Sequence, residues 1–302
     1  MQISSHTVFK SWSQLKRAFG SIQPMKLGYT YYPCLIPGVK TNLIALHGFL
    51  FTNSSLERVL NVEPIRKLVN IYALDIRNHG DSEWTDSMHI DENLTDIHNF
   101  IKEKNLGKDN VLFGHSYGGG IAMKFLCDYS EYCKGGIILD VGVFDYSKDP
   151  EHQIGMKNKI FIDFLKDLNL DQPKEKIREI IATQIKSPEF LGHLMSQLVE
   201  LPDGKKKWKM NIEVLYKRML DQVTVLFQPE DIKAPYPGPV RILGTNSMYV
   251  RPSMMANYYK IFSQFDEKRD FVKLNTRHFA NFDNPEIVSE EIRLFLERTL
   301  RL

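Results

Sequence analysis

Residues 110–126 of this 302-residue chain read NVLFGHSYGGGIAMKFL. A short apolar run of strand type comes first, the turn Gly114-His115-Ser116-Tyr117-Gly118 follows, and good helix formers come after two further glycines. A G-x-S-x-G turn between a strand and a helix is typical of a strained elbow that lifts a serine hydroxyl above a sheet. The glycines allow the helix to begin close to the strand. The stretch therefore predicts Ser116 as a nucleophile, rather than an incidental serine in a glycine-rich turn.

A serine hydroxyl is a poor nucleophile and needs a base, for which the chain offers nine histidines. Where the serine lies on such an elbow, the histidine comes late, between the last strand and the final helix. His278 has this position: residues 271–274 are of strand type, and Asn284-Pro285-Glu286 is typical of a helix start. His115, beside the serine, is expected to point away from the hydroxyl. Position therefore favours His278 as the base over a structural histidine.

The carboxylate that orients the histidine is not in the turn where it is most often found, after the next-to-last strand. That turn, residues 244–248, contains Asn246, which could orient an imidazole but could not neutralise an imidazolium. Asp140 ends the strand that follows the elbow helix and keeps the chain order serine, acid, histidine. Asp145 is the rival, with a loop or cap role as its alternative. We predict Asp140 as the acid.

Residues 43–49, LIALHGF, form a buried-type strand that runs into an H-G-x turn. Such a turn supplies one backbone N–H to a developing oxyanion, and the residue after the nucleophile supplies the other. The predicted donors are therefore the N–H groups of Phe49 and Tyr117. Fixed donors of this kind stabilise the charge that develops during acyl transfer.

Residues 75–82, DIRNHGDS, follow another strand and break into a polar turn. We interpret Asp75, Arg77 and Asn78 as a hydrogen-bonded brace for the loop beneath the site and not as catalysts. This D-x-R-N-H-G-x-S stretch, with H-G-F, G-H-S-Y-G-G and a late histidine before N-P-E, resembles a subgroup of the α/β-hydrolases. The subgroup includes small bacterial esterases, mitochondrial hydrolases and the fungal ethanol O-acetyltransferases. The resemblance covers the chain after about the first thirty residues.

The resemblance implies an α/β-hydrolase fold, with a mostly parallel central sheet flanked by helices and an inserted helical cap. Members resemble this chain in carrying the acid after the strand that follows the elbow helix, which supports Asp140. The resemblance implies roles for the catalytic residues alone, which are Ser116, Asp140 and His278. The acetyltransferases make ethyl acetate from acetyl-CoA and ethanol, are also known to hydrolyse thioesters and esters, and are mitochondrial.

The predicted organisation has three parts. Residues 1–25 are Ser-rich and basic, and the first acidic residue of the chain is Glu57, which suits a mitochondrial transit peptide or else an ordinary disordered leader. Residues 26–145 and 234–302 are predicted as the hydrolase core. Residues 146–233 are predicted as a helical cap, since the stretches 160–168, 174–185 and 212–220 have helical spacing of apolar residues. The basic run Lys205 to Lys209 is interpreted as a solvated turn, with a patch for coenzyme A phosphates as the alternative.

Composition limits the partners and cofactors. The net charge of +2 gives no reason to expect nucleic acid, and no apolar run reaches the length of a membrane span. Cys34, Cys127 and Cys133 form neither an even disulfide framework nor a metal-ligand spacing. We expect no metal and no cofactor, with acetyl-CoA as a substrate. The expected partners are a small-molecule acyl donor and an alcohol or water, in the mitochondrion or otherwise in the cytoplasm.

Three classes of function fit these residues. An alcohol O-acetyltransferase forming ethyl acetate, with thioesterase and esterase side activities, is the main prediction. A carboxylesterase or thioesterase acting on short-chain substrates would use the same three side chains, with water as the acceptor. A non-catalytic binding protein is the third class, and the filled serine, acid and histidine positions count against it.

Overall fold

The computed structural model describes residues 23–300, and a seven-stranded sheet forms its centre. In space the sheet strands follow the order β1-β3-β2-β4-β5-β8-β9, and a separate two-stranded hairpin pairs β6 with β7. Strand β1 runs antiparallel to β3, whereas all other neighbours in the seven-stranded sheet are parallel. The strands of this described part are β1 (Tyr29–Tyr32), β2 (Asn42–Leu46), β3 (Asn70–Leu74), β4 (Asn110–His115), β5 (Cys133–Leu139), β6 (Leu198–Glu200), β7 (Lys206–Trp208), β8 (Val240–Gly244) and β9 (Phe271–Lys273).

Helices cover both faces of the sheet, as predicted. The α-helices are α1 (Glu57–Leu60), α2 (Glu63–Arg66), α3 (Ile90–Glu103), α4 (Tyr117–Asp128), α5 (Ile154–Lys166), α6 (Lys174–Ala182), α7 (Pro188–Ser196), α8 (Ile212–Arg218), α9 (Met255–Ile261), α10 (Glu267–Asp270), α11 (Ala280–Asp283) and α12 (Pro285–Leu300). Short 3₁₀ segments occupy Asn53–Leu56, Ser130–Tyr132, Tyr146–Lys148, Pro229–Asp231 and Pro252–Met254, and a π-helical turn spans Met219–Val223.

The central strands are apolar along their whole length because both of their faces are covered. All five residues of β2 are buried, with Ile44 and Leu46 on one face and Leu43 and Ala45 on the other. The first face packs against α3 and α4, whereas the second packs against α1, α2 and the final helix α12. This arrangement brings the loops after β2, β4, β5, β8 and β9 to the carboxyl edge of the sheet, where open α/β sheets place their ligands.

The segment between β5 and β8 contains α5 to α8 and the β6–β7 hairpin. We call the part of it predicted as a cap, residues 146–233, the cap segment. All three stretches for which apolar spacing predicted a helix are mostly helical in the structure. Helix α5 begins at Ile154, six residues before the predicted stretch. The hairpin was not predicted. Its β7 strand contains part of the basic run, so the interpretation of Lys205 to Lys209 as a turn was wrong for Lys206 to Trp208.

The predicted leader, residues 1–25, lies outside the described residues except for its last three. Of these, Met25 donates its backbone N–H to the Asp96 carboxylate at 2.7 Å, so the chain is attached to α3 at that point. Within residues 23–300, no helix combines the length and the apolar character needed to cross a bilayer.

Candidate active site

Ser116 lies at the sharp turn between β4 and α4, with φ of 52° and ψ of −120°. Non-glycine residues rarely adopt such a positive φ, so this turn is strained as expected for a nucleophile elbow. The flanking positions Gly114 and Gly118 must be glycine because other backbone atoms lie where a side chain would begin. A Cβ on Gly114 would lie 2.4 Å from the Gly118 carbonyl oxygen, and a Cβ on Gly118 would lie 2.5 Å from the carbonyl oxygens of Leu46 and His47. Strand and helix therefore approach closely only because these positions lack side chains.

The structure brings Ser116, His278 and Asp140 into one hydrogen-bonded chain. His278 Nε2 lies 3.0 Å from Ser116 Oγ, and His278 Nδ1 lies 2.8 Å from Asp140 Oδ2. An ionised carboxylate can only accept, so the Nδ1–H donates to Asp140 and the Nε2 of the neutral ring accepts from the serine hydroxyl. This is the protonation state in which a histidine can take a proton from serine. The three residues come from loops after β4, β5 and β9.

The Asp140 carboxylate is fully buried and accepts hydrogen bonds from four groups. Besides His278, the donors are the Thr245 backbone N–H (2.9 Å), the Thr245 hydroxyl (2.7 Å) and the Ser247 hydroxyl (2.6 Å). Burial by itself would raise the pKa of Asp140, but the hydrogen bonds from His278, Ser247 and Thr245 outweigh it and hold the pKa below the usual value. Asp140 is therefore a carboxylate at neutral pH.

The rival acid Asp145 and the amide Asn246 lie elsewhere. Asp145 caps the 3₁₀ segment Tyr146–Lys148, accepting from the Ser147 backbone at 3.1 Å and pairing with Lys148 at 3.0 Å. The Asn246 side chain points outward and donates to Asn275. Asp145 thus has the cap role that was its alternative, and neither residue contacts the imidazole.

The turn after β8 contributes to the site through residues that sequence reasoning missed. It contains no carboxylate, but its Thr245 and Ser247 hydroxyls donate to Asp140 across about a hundred residues of sequence. Two hydroxyl side chains in the turn where an acid is usually found were the available signal. Tyr249, in the same loop, was missed as well, and its ring lies against His278.

Other histidines near the site are neutral, and His47, His79 and His115 are fully buried. Burial lowers the pKa of His47, His79 and His115 to about 3, and that of His193 to about 4. His115 Nε2 lies 2.9 Å from the backbone carbonyl of His278, so its N–H holds the loop that carries the predicted base. His115 therefore supports the loop and does not contact the serine hydroxyl.

The predicted oxyanion donors, Phe49 and Tyr117, line the same cavity as Ser116. Tyr117 is the first residue of α4, so its N–H has no partner within its own helix. Phe49 follows β2 in a turn closed by the bond from Phe51 N–H to the Gly48 carbonyl at 3.2 Å. The backbone N–H groups of Phe49 and Tyr117 therefore remain the predicted oxyanion donors.

The D-x-R-N stretch is a brace, as interpreted from the sequence. Asp75 accepts from the Asn53 backbone at 2.7 Å and ties the loop after β2 to the loop after β3. Asn78 adopts a φ of 65° and accepts from the Asn211 side chain at 3.2 Å, which links the loop to the cap segment. The Arg77 guanidinium binds Asp96 through two hydrogen bonds of 2.8 and 3.0 Å and also contacts Glu92.

Replacing Arg77 with methionine is expected to destabilise the protein strongly, because Asp96 would remain as a buried charge without its partner. The side chains of Arg77 and Asp96 are only 2% and 1% exposed. We expect the free energy of unfolding to fall by about 3–5 kcal/mol in urea titrations. The matched control is Arg58→Met, at an exposed helix position, with an expected change within about 0.5 kcal/mol. A loss below about 1 kcal/mol in Arg77→Met would contradict the brace.

Above Ser116 lies a cavity of about 450 Å³, formed between the core loops and the cap segment. Its walls are mostly apolar, and the cap segment contributes about half of its lining residues. The core contributes Phe49, Leu50, Phe51, Ser116, Tyr117, Val141, Tyr249, Arg277, His278 and Phe279; the cap segment contributes Tyr146, Ile154, Asn158, Phe161, Gln184, Ile185, Lys186, Ser187, Phe190, Val223, Thr224 and Leu226.

The basic run of the cap segment does not line this cavity. Lys205 pairs with Asp203 at 3.8 Å, and the Lys207 ammonium lies over the Trp84 ring. The basic residues that do line the cavity are Lys186 and Arg277, both exposed. Among residues 23–300, no group of three or more His, Cys, Asp or Glu side chains is arranged to hold a metal ion.

Comparisons with known proteins agree with this fold. A family model described as the alpha/beta hydrolase fold matches residues 41–285, which is well over half of the chain. A probable alcohol acetyltransferase of Cyberlindnera fabianii is 24% identical over 276 residues, covering 85% of this chain and 72% of that protein. The sn-1-specific diacylglycerol lipase ABHD11 of Mus musculus is 24% identical, covering 91% and 86%.

Among solved structures, a marine microorganism esterase superimposes with a TM-score of 0.76, at 22% identity, over 92% of this chain and 99% of that one. These relatives hydrolyse or transfer acyl groups according to their names, and the resemblance inferred from the sequence motifs is confirmed. The family match, the sheet and the elbow together establish that this chain belongs to the α/β-hydrolase fold family, as an enzyme of the hydrolase and acyltransferase kind.

Proposed function

We propose that this protein transfers a short acyl group through a covalent intermediate on Ser116, with acetyl-CoA as donor and ethanol as acceptor. The observation that carries the proposal is the chain of 3.0 and 2.8 Å contacts from Ser116 through His278 to Asp140, beneath a capped, mainly apolar cavity. The identities of 24% to the relatives support acyl chemistry in general, and the acetyltransferase is the more specific part of the proposal.

In the first half-reaction, Ser116 Oγ attacks the thioester carbonyl carbon while its proton passes to His278 Nε2. The oxyanion faces the N–H groups of Phe49 and Tyr117, and Asp140 stabilises the imidazolium. The C–S bond then breaks, and the imidazolium returns its proton to the departing sulfur, so coenzyme A leaves as the free thiol. Ser116 now carries the acetyl group as an ester.

In the second half-reaction, His278 removes the hydroxyl proton of the acceptor as its oxygen attacks the acetyl carbon. The C–O bond to Ser116 then breaks, and the proton returns to the serine oxygen. Ethanol yields ethyl acetate and water yields acetate, so the same side chains serve both reactions. The choice of acceptor depends on how well the cap segment limits bulk water at the acyl-enzyme.

Two features of the cavity support a coenzyme A donor and an alcohol acceptor. Phe49, Phe161, Phe190 and Phe279 supply aromatic wall, which suits a small alcohol better than water. Lys186 and Arg277 are exposed at the cavity, where the donor phosphates can bind while the thioester reaches Ser116. Placement in the mitochondrion belongs to the same proposal and rests on the basic, Ser-rich composition of residues 1–25 and on the family resemblance.

A carboxylesterase or thioesterase is the second candidate, because Ser116 opens to a cavity that also holds polar lining groups and because esterases share the fold. A non-catalytic binding role is the third, and the complete serine, histidine and carboxylate chain counts against it.

Product analysis with acetyl-CoA, with and without ethanol, tests the proposal. Purified protein is expected to release free thiol, and ethyl acetate measured by gas chromatography is expected to rise and saturate with ethanol. Ester that forms at the expense of acetate shows that ethanol competes with water for the acyl-enzyme. Acetate alone at every ethanol concentration would establish the hydrolase instead. Brisk cleavage of p-nitrophenyl acetate without thiol release would remove coenzyme A from the proposal.

A further inference from the structure

The imidazole of His278 lies flat against the face of the Tyr249 ring. The two ring centroids are 3.9 Å apart, and the ring planes are inclined by only 20°. The other rings beside the imidazole are more distant and more steeply inclined: His115 lies at 5.1 Å and 41°, and Phe279 at 5.2 Å and 59°. Tyr249 is thus the ring that presents its face to the imidazole.

The backbone of Tyr249 is held by the loops that hold the acid. Its N–H donates to Ser247 Oγ at 3.1 Å, and the hydroxyl of that same serine donates to Asp140. Its carbonyl accepts from the Gly142 N–H at 2.9 Å and from the Tyr146 hydroxyl at 2.6 Å. Rotation of this loop away from the imidazole would break several hydrogen bonds together.

The Tyr249 side chain reaches the cap segment as well as the imidazole. Its hydroxyl interacts with the side chain of Asn158 on α5, and both residues line the cavity above Ser116. The ring is therefore fixed between the core and the cap segment, and the imidazole lies against it.

An aromatic face is electronegative and attracts a cation placed over it. In the proposed reaction the imidazole is neutral with free enzyme and becomes an imidazolium as the serine loses its proton. The attraction to the Tyr249 face is therefore stronger in the transition state than in the ground state, and interactions of this kind raise kcat. His115, on another side, adds no opposing charge because burial lowers its pKa to about 3.

We propose that Tyr249 is a positioning residue for His278, which fixes the plane of the imidazole and stabilises its protonated form through the face of the aromatic ring. This inference rests on the proposed acyl transfer through Ser116. It assigns to the loop after β8 a role in the reaction although that loop lacks a carboxylate.

The test compares side chains at position 249 that differ in the charge of the ring face, using the 302-residue chain and p-nitrophenyl acetate. Tyr249→Leu removes the face, and we expect kcat to fall about tenfold, which corresponds to ~1.4 kcal/mol. Tyr249→Phe keeps the face, and kcat is expected to stay within about twofold of wild type. Pentafluorophenylalanine at 249 keeps the shape but reverses the charge of the face, and its kcat is expected to match that of Tyr249→Leu.

The control is Tyr259→Leu, the same change at a half-exposed tyrosine of α9 outside the cavity, for which kcat should not change. A purely structural role for Tyr249 predicts equal kcat for phenylalanine and its pentafluoro analogue, or lower thermal stability with unchanged kcat, and either result overturns the inference. If Tyr249→Leu does not fold, the two phenylalanine forms still decide the question. Wild-type protein without any ester or thioester turnover refutes the proposed function itself, whereas active wild type with equal kcat across the series refutes only the role of Tyr249.

Discussion

Ser116→Ala is expected to abolish turnover of acetyl-CoA and of p-nitrophenyl acetate while the protein stays folded. The substitution removes the atom that forms the acyl bond in the proposed mechanism, and kcat is expected to fall by a factor on the order of 10⁶, towards the background rate. Ser116 is partly exposed at the cavity and supplies no core packing, so the melting temperature should change little. Mass spectrometry after quenching should find an acetyl group on Ser116 of the wild type and none at position 116 of the variant.

His278→Ala should reduce kcat about as strongly as Ser116→Ala, and the double variant should be no worse than either, because the two residues act as a unit. Ser263→Ala provides a matched control, since Ser263 is exposed and its hydroxyl contacts only the Tyr236 carbonyl among the contacts seen in residues 23–300. Substantial turnover in either Ser116→Ala or His278→Ala would refute the serine mechanism.

The parts of the site that sequence could predict are those marked by local patterns. The elbow is a local feature, because the strained φ of Ser116 and the close approach of Gly114 and Gly118 involve residues within a few positions of each other. The positions of His278 and Asp140 followed from the order of strands and loops, since each lies just after a strand that ends at the same edge of the sheet.

The parts that sequence could not predict depend on contacts between distant segments. Thr245 and Ser247 bind Asp140 from more than a hundred residues away along the chain. The periodic pattern of apolar residues in a sequence does not indicate which separate loops will be in contact. The stacking of Tyr249 on His278 has the same origin. The β6–β7 hairpin was missed for a different reason: its strands have three residues each and one is mostly lysine, so neither shows an alternating apolar pattern.

The acid position is where this chain departs from the commoner arrangement, and Asp140→Asn tests it. Four donors converge on the Asp140 carboxylate, two from Thr245 and one each from Ser247 and His278. An asparagine amide can accept through only one of its two side-chain atoms, so it turns an NH₂ group towards groups that also donate. The imidazole then no longer adopts the tautomer in which Nε2 accepts from the serine hydroxyl. The negative charge of the carboxylate, which stabilises the imidazolium, is lost as well.

We therefore expect Asp140→Asn to lower kcat by about 10⁴-fold, measured by steady-state kinetics with p-nitrophenyl acetate at neutral pH. Asp145→Asn is the matched control, an identical change five residues along the chain at a carboxylate that contacts Ser147 and Lys148 and not the imidazole. Its kcat should stay within about threefold of wild type, because it alters only the cap of a short 3₁₀ segment.

Asn246→Asp completes the set, since it adds a carboxylate in the turn where the acid is commonly found. The Asn246 side chain points towards Asn275 and not towards His278, so this variant should not rescue Asp140→Asn. A reversed ranking of Asp140 and Asp145, or rescue by Asn246→Asp, would move the acid to another loop and leave the serine chemistry in place.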